Sequence, residues 1–292
     1  MQAERLRGEP VATERRAAVR ERVRDLDGPP PTLATVVMSD DPDDQRFVAL
    51  KHDACDAVGI RTRDARLPPE APAARLHATV EELSDDPAVD AVFVQAPLPG
   101  HVSRTAVGSR LDPRKDVDCF HPANLGRLVA GDPRFVPATA AAVCRLLAAY
   151  GVPTEGEHAV VVGRSAAIGR PLAHRLLAAD ATVTVCHSRT GDLGGTVRRG
   201  DIVVTACGVP ELVGGEMLAP GAVAVDVSAN RRPAPDGDGV EVVGDIDHES
   251  ARRRVRALTP VPGGVGPVTL AALLENVVLA AERRPAGERS GA

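Results

Sequence analysis

Short apolar runs rich in valine and threonine, each followed by a stretch of helix length, recur along the chain. They fall at residues 32–38, 60–67, 88–94, 158–162, 182–186, 202–205 and 222–226. Helical spacing occupies residues 13–26, 43–58, 72–83, 137–150, the segment from Pro171 to residue 179, and 267–283. Parallel strands need a crossover of a dozen or so residues, and a helix is the usual one, so this alternation predicts α/β architecture with largely parallel sheets. The pattern restarts after 137–150, a helix placed to connect two domains. The four runs that follow make a nucleotide-binding type of half sheet. Residues 231–239 read as a surface turn, and residues from Pro285 onward as a frayed end.

Charge and aromatic content remove several classes of function. Thirty-five basic against 40 acidic residues leave a net charge of −5, with no Trp, one Tyr and four Phe. Such a chain lacks both the basic field and the stacking surface for nucleic acid. No apolar run approaches the ~18 residues of a membrane span, and the Arg- and Glu-rich beginning is unlike a signal peptide, so a cytoplasmic protein is expected. Five scattered cysteines (Cys55, Cys119, Cys144, Cys186, Cys207) form no CxxC pair. Neither a disulfide framework nor a metal site is expected.

Gly163-x-Ser165, then Gly169 and Pro171, follows an apolar run and opens a helix, where backbone N–H groups and the positive helix end meet an anion. The spacing departs from G-x-G-x-x-G, so a plain glycine-rich turn competes with a dinucleotide turn. At the tip of the next strand, where an acid would read a free ribose hydroxyl, stand Ser188 and Arg189, with Arg164 in the preceding turn. That set favours NADP over NAD, against the plainer reading of Arg189 as a solvated loop charge. Lys51 follows Phe47 by four residues and shares its helix face; most helical lysines are solvated surface charges. Gln95 ends a buried strand before Pro97. Asp116 and Asp118 are alternating acids that, as a lone motif, read more readily as a polar turn than as a metal or substrate site, and His121 and His187 read as loop histidines.

Together these segments resemble the bifunctional methylenetetrahydrofolate dehydrogenase/methenyltetrahydrofolate cyclohydrolase family over nearly the whole chain. The most specific strings are Lys115-Asp-Val-Asp118 with Phe120-His-Pro122 and Asn124-Leu-Gly-Arg-Leu128, Val162-Gly-Arg-Ser165, Ala181-Thr-Val183, Cys186-His-Ser-Arg-Thr190, and Thr259-Pro-Val-Pro-Gly-Gly-Val-Gly-Pro267 followed by Thr269, Glu275 and Asn276. The resemblance implies two α/β domains with a cleft between them. A folate-binding catalytic domain over 1–140 is completed by the helix 267–285, and a Rossmann-like NADP-binding domain covers 141–266. It further implies catalytic roles for Lys51, Gln95 and Asp118, the lysine as acid/base, the glutamine orienting it and the aspartate holding the pterin. Phe47, Pro262, Gly263 and Gly264 would line the folate site; Gly163, Arg164, Ser165, Gly169, Ser188 and Arg189 fall in the NADP-binding segments. Tetrahydrofolate one-carbon derivatives are the implied substrates, and a homodimer formed through the cofactor domains is the implied assembly.

The chain departs from the family pattern near the lysine. Phe47 stands where the family keeps a tyrosine, Asp44 replaces a serine, and Ser39 a glycine. Residues 137–142 replace Pro-Cys-Thr-Pro-x-Gly. Phe47 has no hydroxyl for Lys51, which implies a cyclohydrolase step weaker than hydride transfer. Two other readings stay open: a dehydrogenase-only paralogue of secondary metabolism, and a non-catalytic folate- or nucleotide-binding protein, which would have no need of a lysine–glutamine pair.

Overall fold

A computed structural model of the protein describes residues 3–234 and 239–284. In chain order the elements are β1 (Glu4–Arg5), α1 (Gly8–Asp25), β2 (Thr32–Val37), α2 (Pro42–Asp56), β3 (Arg61–Arg66), α3 (Ala73–Asp85), β4 (Ala91–Val94), α4 (Arg104–Gly108), α5 (Pro122–Val129) and α6 (Ala138–Ala149). Then follow β5 (His158–Val162), α7 (Gly169–Leu177), β6 (Thr182–Cys186), α8 (Leu193–Val197), β7 (Ile202–Thr205), β8 (Val223–Asp226), β9 (Asn230–Pro233), β10 (Val240–Val243), α9 (His248–Ala251), β11 (Ala257–Leu258) and α10 (Val265–Glu282). The chain divides into two compact units. One is Thr13–Ala138 with the stretch from Leu270 on, and the other is Thr139–Thr269 with the residues before Thr13.

The first unit carries a parallel three-stranded sheet, β3-β2-β4, in which Leu33 pairs with both Thr62 and Ala91. Central β2 and β4 are buried and read as apolar runs, whereas edge strand β3 spends most of its side chains on solvent. Val36, Val92 and Val94 pack with Leu76, Val80 and Leu83 of α3 to form the core.

The second unit holds a six-stranded parallel sheet in the order β1-β11-β8-β7-β5-β6. From β5 the chain goes outward to β6 and then back across to β7, so the carboxyl ends of β5 and β7 flank a topological switch point, where open α/β sheets place ligands. The sheet exceeds the four strands expected, because β1 and β11 are two residues each and too short to show a period. Helix α1 begins at Gly8 rather than residue 13, since Pro10 is tolerated in a first turn. The flanks of the expected surface turn pair as an antiparallel ribbon, β9 with β10. Residues 235–238 of that turn, and the end from Pro285, lie outside the described residues.

By length and hydropathy α10 could cross a membrane, contrary to the expectation that no apolar run approaches that length; 61% of it is buried inside the protein. Tyr150, the sole tyrosine, donates to Arg7 O (3.0 Å) and accepts from Arg7 N–H (2.9 Å).

Candidate active site

Helix α2 brings the lysine into place. Asp41 caps it by accepting from Asp43 N–H (2.8 Å), and Pro42 occupies its first turn. Two turns on, Lys51 Nζ donates to Gln95 Oε1 at 2.9 Å and lies 3.5 Å from the Phe47 carbonyl. Gln95 directly follows β4, is 8% exposed, and is fixed through its backbone N–H to Val36 O (2.8 Å). Its amide nitrogen donates to Asp44 Oδ1 and to Ala96 O, each at 3.0 Å. The Phe93 ring lies under the ammonium, 4.7 Å from Nζ to the centroid. Burial pushes Lys51 down to about 8, against the opposing pull of Asp118 and Asp44. Lys51 is thus drawn in from solvent, unlike most helical lysines, and the Phe47 side chain, one turn away, is half-exposed.

Asp116 and Asp118 do different work. Asp116, 1% exposed, accepts from Phe120 N–H, His121 N–H and Asn124 Nδ2, all at 2.8 Å, and so closes the turn before α5. Asp118 accepts only one backbone bond, from Ala138 N–H at 2.8 Å, and burial pushes its carboxyl up to about 7. Asp116 pushes in the same direction, while Arg104 and Lys51 pull back. Arg104 stacks on Phe120, 3.8 Å from guanidinium to ring centroid. Lys51, Gln95 and Asp118 therefore share one electrostatic neighbourhood within the first unit.

In the second unit, Gly163 follows β5 with φ +138°, and a Cβ there would sit 2.3 Å from Ala206 O. A Cβ on Gly169 would sit 2.1 Å from Gly163 O. Only glycines allow this close turn, which leaves bare backbone at the start of α7. Ser165 Oγ accepts from Ile168 N–H (3.1 Å) and Gly169 N–H (3.4 Å) and so ties the turn to the helix. Arg164, Ser188 and Arg189 are exposed beyond the carboxyl ends of β5 and β6. Thr190 Oγ1 accepts from His187 N–H (2.9 Å), and Arg189 N–H donates to His187 Nδ1 (3.1 Å), which shapes the loop after β6. Pro262, Gly263 and Gly264 lie in this unit too, where Gly263 has φ +99° and its carbonyl accepts from Gly8 N–H at 2.9 Å. Among the described residues, no group of three or more His, Cys, Asp or Glu could hold a metal ion.

Asp44, Phe93 and Arg104 were not singled out as site residues in the sequence. Asp44 precedes Lys51 by seven residues, two helical turns, a signal that places both on one face. Phe93 and Arg104 carry no comparable spacing.

Comparison with known proteins points to one family. Residues 6–118 match the tetrahydrofolate dehydrogenase/cyclohydrolase catalytic domain, and residues 137–285 its NAD(P)-binding domain. The chain is 51% identical over 257 residues to the bifunctional protein FolD of Haloquadratum walsbyi, covering 87% of this chain and 82% of that protein. It is 45% identical over 285 residues to FolD of Moorella thermoacetica, covering 97% and 100%. The crystal structure of Trypanosoma brucei N5,N10-methylenetetrahydrofolate dehydrogenase-cyclohydrolase, complexed with NADP cofactor and inhibitor, superposes with a TM-score of 0.92 at 39% identity, covering 97% of this chain and 98% of that one. The chain belongs to the tetrahydrofolate dehydrogenase/cyclohydrolase family.

Proposed function

We infer that the protein oxidises 5,10-methylenetetrahydrofolate to 5,10-methenyltetrahydrofolate with NADP, and hydrolyses the product to 10-formyltetrahydrofolate. The observation that carries the reading is the half-buried Lys51 held 2.9 Å from Gln95 Oε1 beside Asp118. A solvated surface lysine would have neither the partner nor the lowered proton affinity.

NADP fits the second unit. The turn at Gly163 has no room for a side chain, so backbone N–H groups at the start of α7 are left to meet a pyrophosphate. Arg164, Ser188 and Arg189 supply charge and hydroxyl for the 2′-phosphate. When bound, NADP supplies the hydride acceptor. In the first unit, the Asp118 carboxyl accepts from the pterin N–H groups, and Phe47 stacks on the aminobenzoate ring.

Hydrolysis requires a proton acceptor whose affinity lies near neutrality. With Lys51 at about 8, about a tenth of it is free amine at pH 7. That amine takes a proton from the water adding to the methenyl carbon. The resulting ammonium, held on Gln95, returns that proton to the ring nitrogen as its bond to the carbon breaks, and the regained amine takes the hydroxyl proton as the formyl C=O forms, so one proton is released overall. Phe47 offers no hydroxyl to tune the amine, which makes hydrolysis the weaker half of the activity.

The same reading places the enzyme in the cytoplasm as a homodimer. Supporting the second point, β6 is an edge of the six-stranded sheet, and Val185 upon it is 36% exposed. Assay of NADP-dependent methylenetetrahydrofolate oxidation by the wild type and Lys51→Ala tests the assignment. The wild type should yield 10-formyltetrahydrofolate, and the variant should reduce NADP while methenyl absorbance accumulates. A wild type that binds both ligands and produces neither NADPH nor 10-formyltetrahydrofolate would be a binding protein instead.

A further inference from the structure

A fully buried carboxylate in the second unit has a set of partners that the chemistry above does not use. Asp245 Oδ2 accepts from Cys207 N–H (2.8 Å), Cys207 Sγ (3.2 Å), Gly208 N–H (3.2 Å) and Ser228 Oγ (2.7 Å). Its Oδ1 accepts from Val209 N–H (2.8 Å) and Asn230 Nδ2 (3.0 Å). Burial opposes charge here, but the bonds from Asn230, Cys207 and Ser228 outweigh it and hold the carboxyl below its usual range. Asp245 is itself fixed by a second buried carboxylate, Asp226, which accepts from Asp245 N–H (3.1 Å) and Ile246 N–H (2.8 Å).

The segments so gathered are the loop after β7 and the segment after β8. The loop after β7 begins at Ala206, whose carbonyl closes on Gly163 so tightly that no Cβ fits. It also borders the switch point between β5 and β7. We propose that Asp245 is a positioning residue for the nicotinamide dinucleotide, setting from behind the loop after β7 that closes on the glycine turn and tying it to the segment after β8. The proposal rests on the NADP reading of this unit. A carboxylate is suited to the task because it accepts on every side, so backbone and side-chain donors from two segments converge on one point. An asparagine turns an amide N–H toward those donors and cannot satisfy them all.

The test uses the full-length enzyme, NADP titration, and steady-state kinetics of both half-reactions. Asp245→Asn should raise the Kd and KM for NADP by about tenfold or more. NADP-free hydrolysis of methenyltetrahydrofolate, whose Lys51, Gln95 and Asp118 lie in the other unit, should stay within about twofold of wild type. The double variant Ser228→Ala/Asn230→Ala removes two donors and keeps the carboxylate; it should weaken NADP by about threefold with hydrolysis unchanged. Unaltered NADP affinity in Asp245→Asn overturns the proposal. If that variant loses both activities together, the double variant decides, and unaltered affinity there is likewise fatal. A wild type that fails to bind NADP removes the cofactor reading itself, a result distinct from either.

Discussion

Lys51 Nζ and Gln95 Oε1 stand 2.9 Å apart, and the Gln95 amide cannot turn round without losing two bonds. Its nitrogen faces Asp44 Oδ1 and Ala96 O, both of which only accept. The oxygen is thereby aimed at the ammonium. Gln95→Leu should cut hydrolysis by about ten- to a hundredfold, no more than the lower bound of what a positioned acid/base contributes, because the lysine itself remains. Asp44→Asn, which leaves Ala96 O in place, should cost less. NADP-linked oxidation, measured in the same preparations, should fall far less in both.

Lys51 also predicts a pH dependence. Its folded value of about 8 lies below the ordinary 10.5, so the unfolded chain binds the extra proton between those two values. Stability from this group is therefore complete above about 10.5 and is lost as pH falls through about 8. Lys51→Met should melt at a higher temperature than wild type at pH 7, and the difference should vanish near pH 10.5. With the free amine as the proposed proton acceptor, hydrolysis should rise with pH through about 8 and level off above it, while oxidation shows no such inflection. Asp44→Ser removes a charge that raises Lys51 and should move the inflection to lower pH.

Phe47 lies one turn before Lys51, on the same face of α2, and contributes only its carbonyl, 3.5 Å from Nζ. Phe47→Tyr would add a hydroxyl beside the amine. A hydrogen bond to a charged catalytic group is worth about 1–3 kcal/mol, or roughly 5- to 150-fold in rate when felt in the transition state. Hydrolysis should rise within that range, with oxidation nearly constant. Equal hydrolysis rates in wild type and variant would show that the missing hydroxyl costs nothing.

The strands were legible where they are buried on both faces. β2, β4, β5, β7 and β8 are buried and read as apolar runs. β1 and β11 pair only because the folded sheet offers them an edge, and two residues carry no period. The site divides in the same way. Helical spacing joins Phe47 to Lys51, but the burial that lowers Lys51 comes from the tertiary fold, with Phe93 and Asp118 supplied by other segments. The donors on Asp245 come from residues 207–230, gathered by sheet order, with no local pattern to announce them.

Arg189 is exposed in the loop beyond β6, its backbone tied to His187. Its side chain is free to meet a 2′-phosphate. Arg189→Asp replaces that cation with the acid that suits a ribose hydroxyl. The ratio of kcat/KM for NADP to that for NAD should fall by at least about tenfold, roughly the value of one charge-assisted bond. An unchanged ratio would leave Arg189 as a solvated loop charge.

Asn276 of α10 is 7% exposed and donates through Nδ2 to Val117 O and Val136 O, each at 2.8 Å. These carbonyls lie next to Asp118 and two residues before Ala138, the pair joined by the Asp118 bond. One amide thus holds both ends of the segment that carries the Asp118 carboxyl. Asn276→Ala takes the donor from one buried and one part-buried carbonyl and should cost about 1–3 kcal/mol, lowering the melting temperature by several degrees. Asn276→Asp keeps the shape and supplies no donor while ionised. Its charge would face two carbonyl oxygens, so protonation is favoured in the fold and the carboxyl is raised above its unfolded value. The penalty is then largest above that raised value and shrinks as pH falls toward the unfolded one. Thermal melts of Asn276→Asp should approach those of wild type at about pH 4 and fall furthest below them at neutral pH.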